Sequence, residues 1–217
     1  MQRLNSVKNQ INELINKKQL KTNPKIIAIT KTFSINEIAP LIQIGHIHFG
    51  ENKIQEAEEK WINEKHKHKN LQLHMVGKLQ TNKAKKAVKL FDYIHSLDNA
   101  KLADKICQYQ KELNKKIKIF IQLNVGEETQ KSGILLKDLM NFHNYCIKDL
   151  SLNIVGLMCL PPTNTETKKY FEMLNDAGKK LNLPELSMGM STDYQQAVLC
   201  GSTYLRLGTV IFGERNI

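Results

Sequence analysis

The sequence predicts a single (β/α)8 barrel of the TIM type, and three observations point to it. From residue 25 onward, short apolar β-type runs alternate with amphipathic stretches of helical period. Eight such runs occur, and no long linker, internal repeat or low-complexity segment interrupts them. The length of 217 residues fits one lean barrel, treated as a single domain over 1–217.

A helix over about Arg3–Leu20 precedes the first strand, Lys25–Thr30. Ser34 and Glu37 form a capping-box pair at the start of the next helix, Ile35–Ile44, and Gly45 ends it. Strand two is Ile47–Gly50, followed by a helix over Ile54–Asn63. Strand three spans Leu71–Gly77 and its helix Asn82–Leu90; strand four is Tyr93–Leu97, followed by Lys101–Leu113. Strand five, Lys118–Val125, leads to a helix over Leu136–Leu150, and strand six is Leu152–Leu160. Pro161-Pro162 stops that strand before the helix Thr165–Leu181. Strand seven is Glu185–Gly189, then a short helix Asp193–Leu199, and strand eight is Tyr204–Val210.

The chain carries 32 Lys+Arg against 21 Asp+Glu, a formal net charge of +11. Such a balance invites a nucleic-acid reading. Only Arg3, Arg206 and Arg215 are arginines, however, and the lysines sit in short scattered clusters beside polar residues. Base and phosphate readers favour the bidentate guanidinium, so the charge reads as a lysine-rich surface. No apolar run approaches the ~20 residues of a membrane span, and Met1–Asn5 opens no signal-peptide core. Cys107, Cys146, Cys159 and Cys200 form no C-x-x-C pair and read as reduced, buried thiols, which places the protein in the cytoplasm. The pairs His46/His48 and His66/His68 lack a matching Cys or carboxylate set, so no metal site is expected, and His74 reads as a hydrogen-bonded barrel histidine.

In such a barrel the chemistry gathers at the C-terminal strand ends. Lys31 directly follows the apolar run Ile26–Thr30. Two readings stand: a solvated loop lysine, or an amine partly desolvated at a dry barrel mouth and able to form a Schiff base with an aldehyde. The loops after strands seven and eight are Ser187–Asp193 and Gly208-Thr209, rich in small residues, hydroxyls and backbone N–H groups. Those are the two positions where phosphate sites of these barrels are frequently built. A lysine that captures aldehydes together with a phosphate cradle implies pyridoxal 5′-phosphate (PLP). Arg206 lies in the otherwise apolar Tyr204–Gly208. It is either a buried structural cation or a donor facing the pyridine nitrogen, which would keep that nitrogen unprotonated and the ring a poor electron sink.

The same residues carry a resemblance. Ile29-Thr30-Lys31-Thr32, Phe49-Gly50-Glu51-Asn52, His74–Lys83, Asn124-Val125, Lys131-Ser132-Gly133, Gly156-Leu157-Met158 with Pro161, Leu186–Ser191 and Gly201–Gly213 occur in that order. In this pattern the chain resembles, nearly end to end, the pyridoxal-phosphate homeostasis proteins, single-barrel (fold type III) relatives of the N-terminal domain of alanine racemase. The resemblance implies that Lys31 carries PLP as an aldimine, that Asn52 lines the ring or its hydroxyl, and that Arg206 meets the ring nitrogen. It further implies that Ser187, Ser191, Gly208 and Thr209 hold the phosphate, with Met190 packed near the site. Met75 and Val76 depart from the bulkier residues common in the third-strand motif, and Gly126-Glu127 departs at the end of strand five. Neither departure touches the aldimine or phosphate positions.

A racemase needs acid/base groups on both faces of the cofactor, one of them supplied by a second domain for which 217 residues leave no room. The expected function is therefore a non-enzymatic carrier, monomeric and cytoplasmic, acting in vitamin B6 and amino-acid homeostasis, with PLP-dependent apo-enzymes as candidate recipients. The alternatives are a small racemase or lyase that pairs Lys31 with a tyrosine such as Tyr204, and a nucleic-acid-binding module.

Overall fold

The computed structural model describes residues 2–128, 130–163 and 165–214. Its centre is a closed parallel barrel with strands in sequence order: β1 (Lys25–Ile29), β2 (His48–Glu51), β3 (Gln72–Met75), β4 (Tyr93–Leu97), β5 (Lys118–Leu123), β6 (Ile154–Cys159), β7 (Glu185–Ser187) and β8 (Tyr204–Leu207). The ring closes where Lys25–Ala28 of β1 pairs with Tyr204–Leu207 of β8. Around it lie α1 (Gln2–Lys18), α2 (Ile35–Gln43), α3 (Ile54–Lys67), α4 (Ala84–Leu90), α5 (Ala100–Glu112), α6 (Leu139–Asn144), α7 (Lys168–Lys180), α8 (Tyr194–Leu199) and α9 (Thr209–Phe212). The extra helix α1 buries Leu4, Val7 and Ile11 and packs on α8 and α9.

The local signals perform as expected. Glu37 accepts the Ser34 backbone N–H at 2.8 Å and its hydroxyl at 2.7 Å, closing the capping box of α2. Asn99 caps α5 by accepting the Leu102 N–H at 2.9 Å. The stretch expected as one helix over Leu136–Leu150 is a 3₁₀ turn, α6 and a π turn at Tyr145–Asp149. Strands seven and eight are shorter than their apolar runs. Gly189 turns with φ +95°, and Thr209 already begins α9. The pairing nonetheless continues past β7, with Met188 N–H donating to Tyr204 and Arg206 N–H to Gly189.

Two apolar layers result. The larger joins the outward strand faces to the helices, with Phe49, Trp61, Phe91 and Phe171 fully buried. The smaller fills the barrel interior with Ile27, Ile29, Tyr93, Phe120, Met158 and Tyr204. Strand alternation adds polar residues to that interior, notably His74, His95, Ser187 and Arg206, all buried. The four cysteines are buried and unpaired; burial pushes Cys146 and Cys159 up to about 12, which leaves their thiols protonated. No helix among the described residues is long and apolar enough to cross a membrane.

Candidate functional site at the barrel mouth

A cavity of about 730 Å³ opens at the C-terminal ends of the strands. Lys31, Asn52, Met190, Ser191, Arg206, Gly208 and Thr209, all expected site residues, line it. A neighbouring groove of about 950 Å³, walled by Pro162, Thr165 and Gln195, shares the Met190–Thr192 turn but holds neither Lys31 nor Arg206. The convergence of amine and guanidinium, rather than volume, marks the smaller cavity as the site.

Lys31 is held from both sides by a charged clamp. Glu51 is fully buried, and its Oε1 accepts the Thr30 hydroxyl at 2.7 Å, the Lys60 ammonium at 2.9 Å and the Trp61 indole N–H at 2.9 Å. Lys60 also donates to the Thr30 carbonyl at 2.7 Å and to Glu56 at 3.0 Å. Glu56 in turn accepts the Thr32 backbone N–H. Thr32 has φ +71°, a left-handed conformation that costs a β-branched residue energy and persists only where its surroundings impose it. The residues on either side of Lys31 are thus fixed by α3, and the lysine emerges from a rigid turn.

Asn52 is set by a close approach of chains. The N–H groups of Val76 and Gly77 donate to the Glu51 carbonyl. A Cβ at Gly77 would overlap the Asn52 carbonyl oxygen and stand 2.6 Å from its Cα. Gly77→Ala is therefore expected to push Asn52 from its place and to cost about 1–3 kcal/mol, the usual range of overpacking. Urea unfolding followed by Trp61 fluorescence checks this; a cost under about 0.5 kcal/mol would contradict the tight approach.

On the opposite wall, Ser191 Oγ accepts the backbone N–H groups of Gly208 and Val210, each at 3.3 Å, tying the loop after β7 to the start of α9. Arg206 is 5% exposed. Its Nη1 donates to the Ser187 carbonyl at 2.7 Å and hydroxyl at 2.8 Å, and its Nη2 to the Cys159 carbonyl at 2.8 Å. Among the described residues no carboxylate forms an ion pair with it. Burial pushes its pKa down, yet a guanidinium keeps its proton in proteins. The site therefore holds a dehydrated cation with three hydrogen bonds, and among the described residues no further acceptor meets its other donors.

Ser187 is the one expected residue that does not line the cavity. It is fully buried, with its hydroxyl between Arg206 and His95, so in this structure it supports Arg206 from behind rather than facing a phosphate. Tyr204, weighed as an acid/base partner for Lys31, lies away from the mouth, 2% exposed, with its hydroxyl near Lys25 and Tyr93. Sequence reading missed Lys60 and Glu56, which look like an ordinary i,i+4 surface pair on α3, and missed His95. His46, one of the weighed metal candidates, has its Nε2 at 2.9 Å from the His48 carbonyl. The charged members of the cavity lining are Lys31, Lys78, Lys131 and Arg206, all cationic, and among the described residues no carboxylate, imidazole or phenol joins them.

Comparison with known proteins agrees with this geometry. Residues 3–216 match the family model of the alanine racemase N-terminal domain. The pyridoxal phosphate homeostasis protein of Pasteurella multocida is 35% identical over 209 residues, covering 88% of this chain and 87% of the relative. That of Synechocystis is 36% identical over 201 residues, covering 88% and 91%. Among solved structures, PipY of Synechococcus elongatus with PLP bound superimposes with a TM-score of 0.81 at 33% identity, covering 94% of this chain and all of PipY. Alanine racemase of Clostridium difficile shares the fold at a TM-score of 0.72 and 13% identity, and this chain spans 56% of it. With its barrel, its motifs and these relatives in agreement, the chain belongs to the pyridoxal phosphate homeostasis family, built on the barrel of the alanine racemase N-terminal domain.

Proposed function

We propose that this protein binds PLP at the barrel mouth and serves as a carrier rather than an enzyme, with residues 1–217 acting as one cofactor-binding domain. The observation that carries the reading is a cavity that joins Lys31 to Arg206 and whose charged lining, among the described residues, is cationic throughout. When bound, PLP supplies an aldehyde that condenses reversibly with an amine and releases water, and a dianionic phosphate. The residues present fit both ends. Lys31 offers the amine, and the Ser191–Gly208–Thr209 wall, at the ends of β7 and β8, offers small residues and hydroxyls. Arg206, buried without a carboxylate, offers donors to a ring nitrogen and no proton to give up. Asn52 and Met190 line the same cavity, where Asn52 would face the ring.

General acid/base chemistry on both faces of a substrate needs two positioned groups of suitable pKa. Among the described lining residues only lysines could serve, and Lys131 is already paired with Glu128 at 2.6 Å. This favours holding the cofactor over turning over amino acids. The finer assignments, a monomer in the cytoplasm that passes PLP to PLP-dependent apo-enzymes, belong to the same proposal. Pure protein supplied with PLP is expected to turn yellow, and borohydride to fix the label on the peptide that contains Lys31. Lys31→Ala should lose that label altogether. Label on another lysine would overturn the site, and steady turnover of any amino acid would overturn the carrier.

A further inference from the structure

A row of hydrogen-bonded imidazoles runs through the barrel interior behind the site. His48 Nδ1 lies 2.9 Å from His74 Nε2, His74 Nδ1 lies 2.9 Å from His95 Nε2, and His95 Nδ1 lies 2.9 Å from the Ser187 hydroxyl. Arg206 completes the row at 2.8 Å from that hydroxyl. His74, His95 and Ser187 are fully buried, and His48 is half-buried at the opposite end. Stacking fixes the rings: His74 lies over Tyr93 and His95 over Phe120, each with centroids 4.2 Å apart and planes within 16°. Desolvation holds both buried imidazoles well below their ordinary range and His48 at about 4, so at neutral pH each ring has one donor and one acceptor nitrogen.

One member of the row determines its direction. Arg206 only donates, so the Ser187 oxygen accepts from it. Among the described residues the only acceptor left for the Ser187 hydroxyl hydrogen is His95 Nδ1. His95 must then carry its proton on Nε2 and donate to His74 Nδ1. His74 in turn carries its proton on Nε2 and donates to His48 Nδ1. The opposite polarity would point two donors at the Ser187 oxygen and leave its own hydrogen without a partner in a dry interior, which is costly. We propose that His95, backed by His74, is a positioning residue for Arg206: by accepting the Ser187 hydroxyl it makes that oxygen a fixed acceptor and holds the guanidinium with its remaining donors toward the cavity. This role rests on the cofactor reading above; the polarity of the row does not.

Two measurements separate them. Long-range ¹H–¹⁵N NMR of the full chain without PLP, near neutral pH, should find His48, His74 and His95 neutral and protonated on Nε2. Ser187→Ala should cost His95 its single tautomer. A proton on Nδ1 of His95 or His74, or indifference to Ser187→Ala, overturns the polarity. In the second measurement PLP is titrated into wild type, His95→Phe and His95→Asn. The phenylalanine keeps the stack on Phe120 but accepts nothing, while the asparagine carbonyl restores an acceptor near the Nδ1 position. His95→Phe is expected to weaken PLP binding about fivefold or more, the worth of one hydrogen bond, and to shift the absorbance of the yellow complex. His95→Asn should return both toward wild type. Wild-type behaviour in His95→Phe, or equal defects in both variants, overturns the positioning role. A wild type that binds no PLP overturns the cofactor reading and the positioning role together, while the tautomer result stands on its own.

Discussion

Glu51→Ala is expected to destabilise the protein by about 2–4 kcal/mol, because the nearly buried Lys60 ammonium loses one of its two carboxylates, keeping Glu56, and the buried Trp61 indole loses its acceptor. The Lys60 side chain is only 8% exposed and that of Glu51 is fully buried. Three donors converge on Glu51 Oε1, so truncation also leaves the Trp61 indole unsatisfied and the Thr30 hydroxyl with only the Gly50 carbonyl at 3.3 Å. Against a typical domain stability of about 5–15 kcal/mol, the loss is large. Glu51→Gln keeps an acceptor of the same shape and should cost less than the alanine. Lys60→Met leaves a buried carboxylate that retains only its two neutral donors, and the double variant Lys60→Met/Glu51→Gln should recover part of the loss because no buried charge remains unpaired. Urea unfolding with Trp61, the chain's single tryptophan, reads all four. A Glu51→Ala cost under about 1 kcal/mol would show the pair to be dispensable.

The same clamp reaches function. Thr30 and Thr32 flank Lys31, and both are tied to Glu51, Lys60 or Glu56. Loss of the clamp frees the turn that carries Lys31, so its effect on PLP capture should exceed that of an equally destabilising change elsewhere in the barrel. Stability and site therefore draw on one set of bonds, a common arrangement where a loop residue must be held by a rigid scaffold.

How much of this was readable in one dimension depends on the kind of information each residue carries. Lys31 and Arg206 stand out because each interrupts an apolar strand pattern, and strand order places both at one barrel end. Both line the cavity. Ser187 is expected at the phosphate because the resemblance carries it there with the loop after strand seven, whereas it is the last residue of β7 and its side chain is buried against Arg206 and His95. Depth along a barrel axis is not encoded in period two. His95 is hidden by parity. In β4 the pairing register slips between Ile94 and Leu97, so alternation counted from either side gives a different inward face. Lys60 and Glu56 sit in a helix rich in Lys and Glu, where spacing alone does not distinguish a solvated pair from one folded under a loop. His74, expected as a hydrogen-bonded barrel histidine, is one, flanked by imidazoles on both sides.

Acid is expected to unfold this protein well above the range where carboxylates alone would. His46, His48, His74 and His95 are all held below their ordinary value chiefly by burial, His46 and His48 to about 4. In the unfolded chain these rings titrate near 6.5. Between that value and the folded pKa the unfolded state binds the protons, so stability is full above about pH 6.5 and is lost as pH falls toward 4. His46 alone, 8% exposed, contributes about 3 kcal/mol across that window. Each ring that stays neutral in the fold makes stability fall by about 1.4 kcal/mol per pH unit near pH 5, so several such rings together consume an ordinary margin within a few units. Urea midpoints at pH 7.5, 6, 5 and 4.5 measure the slope. His46→Gln, which removes one titrating ring, should reduce it by about one proton's worth, roughly 1.4 kcal/mol per pH unit. Stability that stays flat from pH 7.5 to 5 would mean that the imidazoles are charged in the folded interior, which a row of three rings hydrogen-bonded to one another and to Ser187 cannot accommodate without breaking.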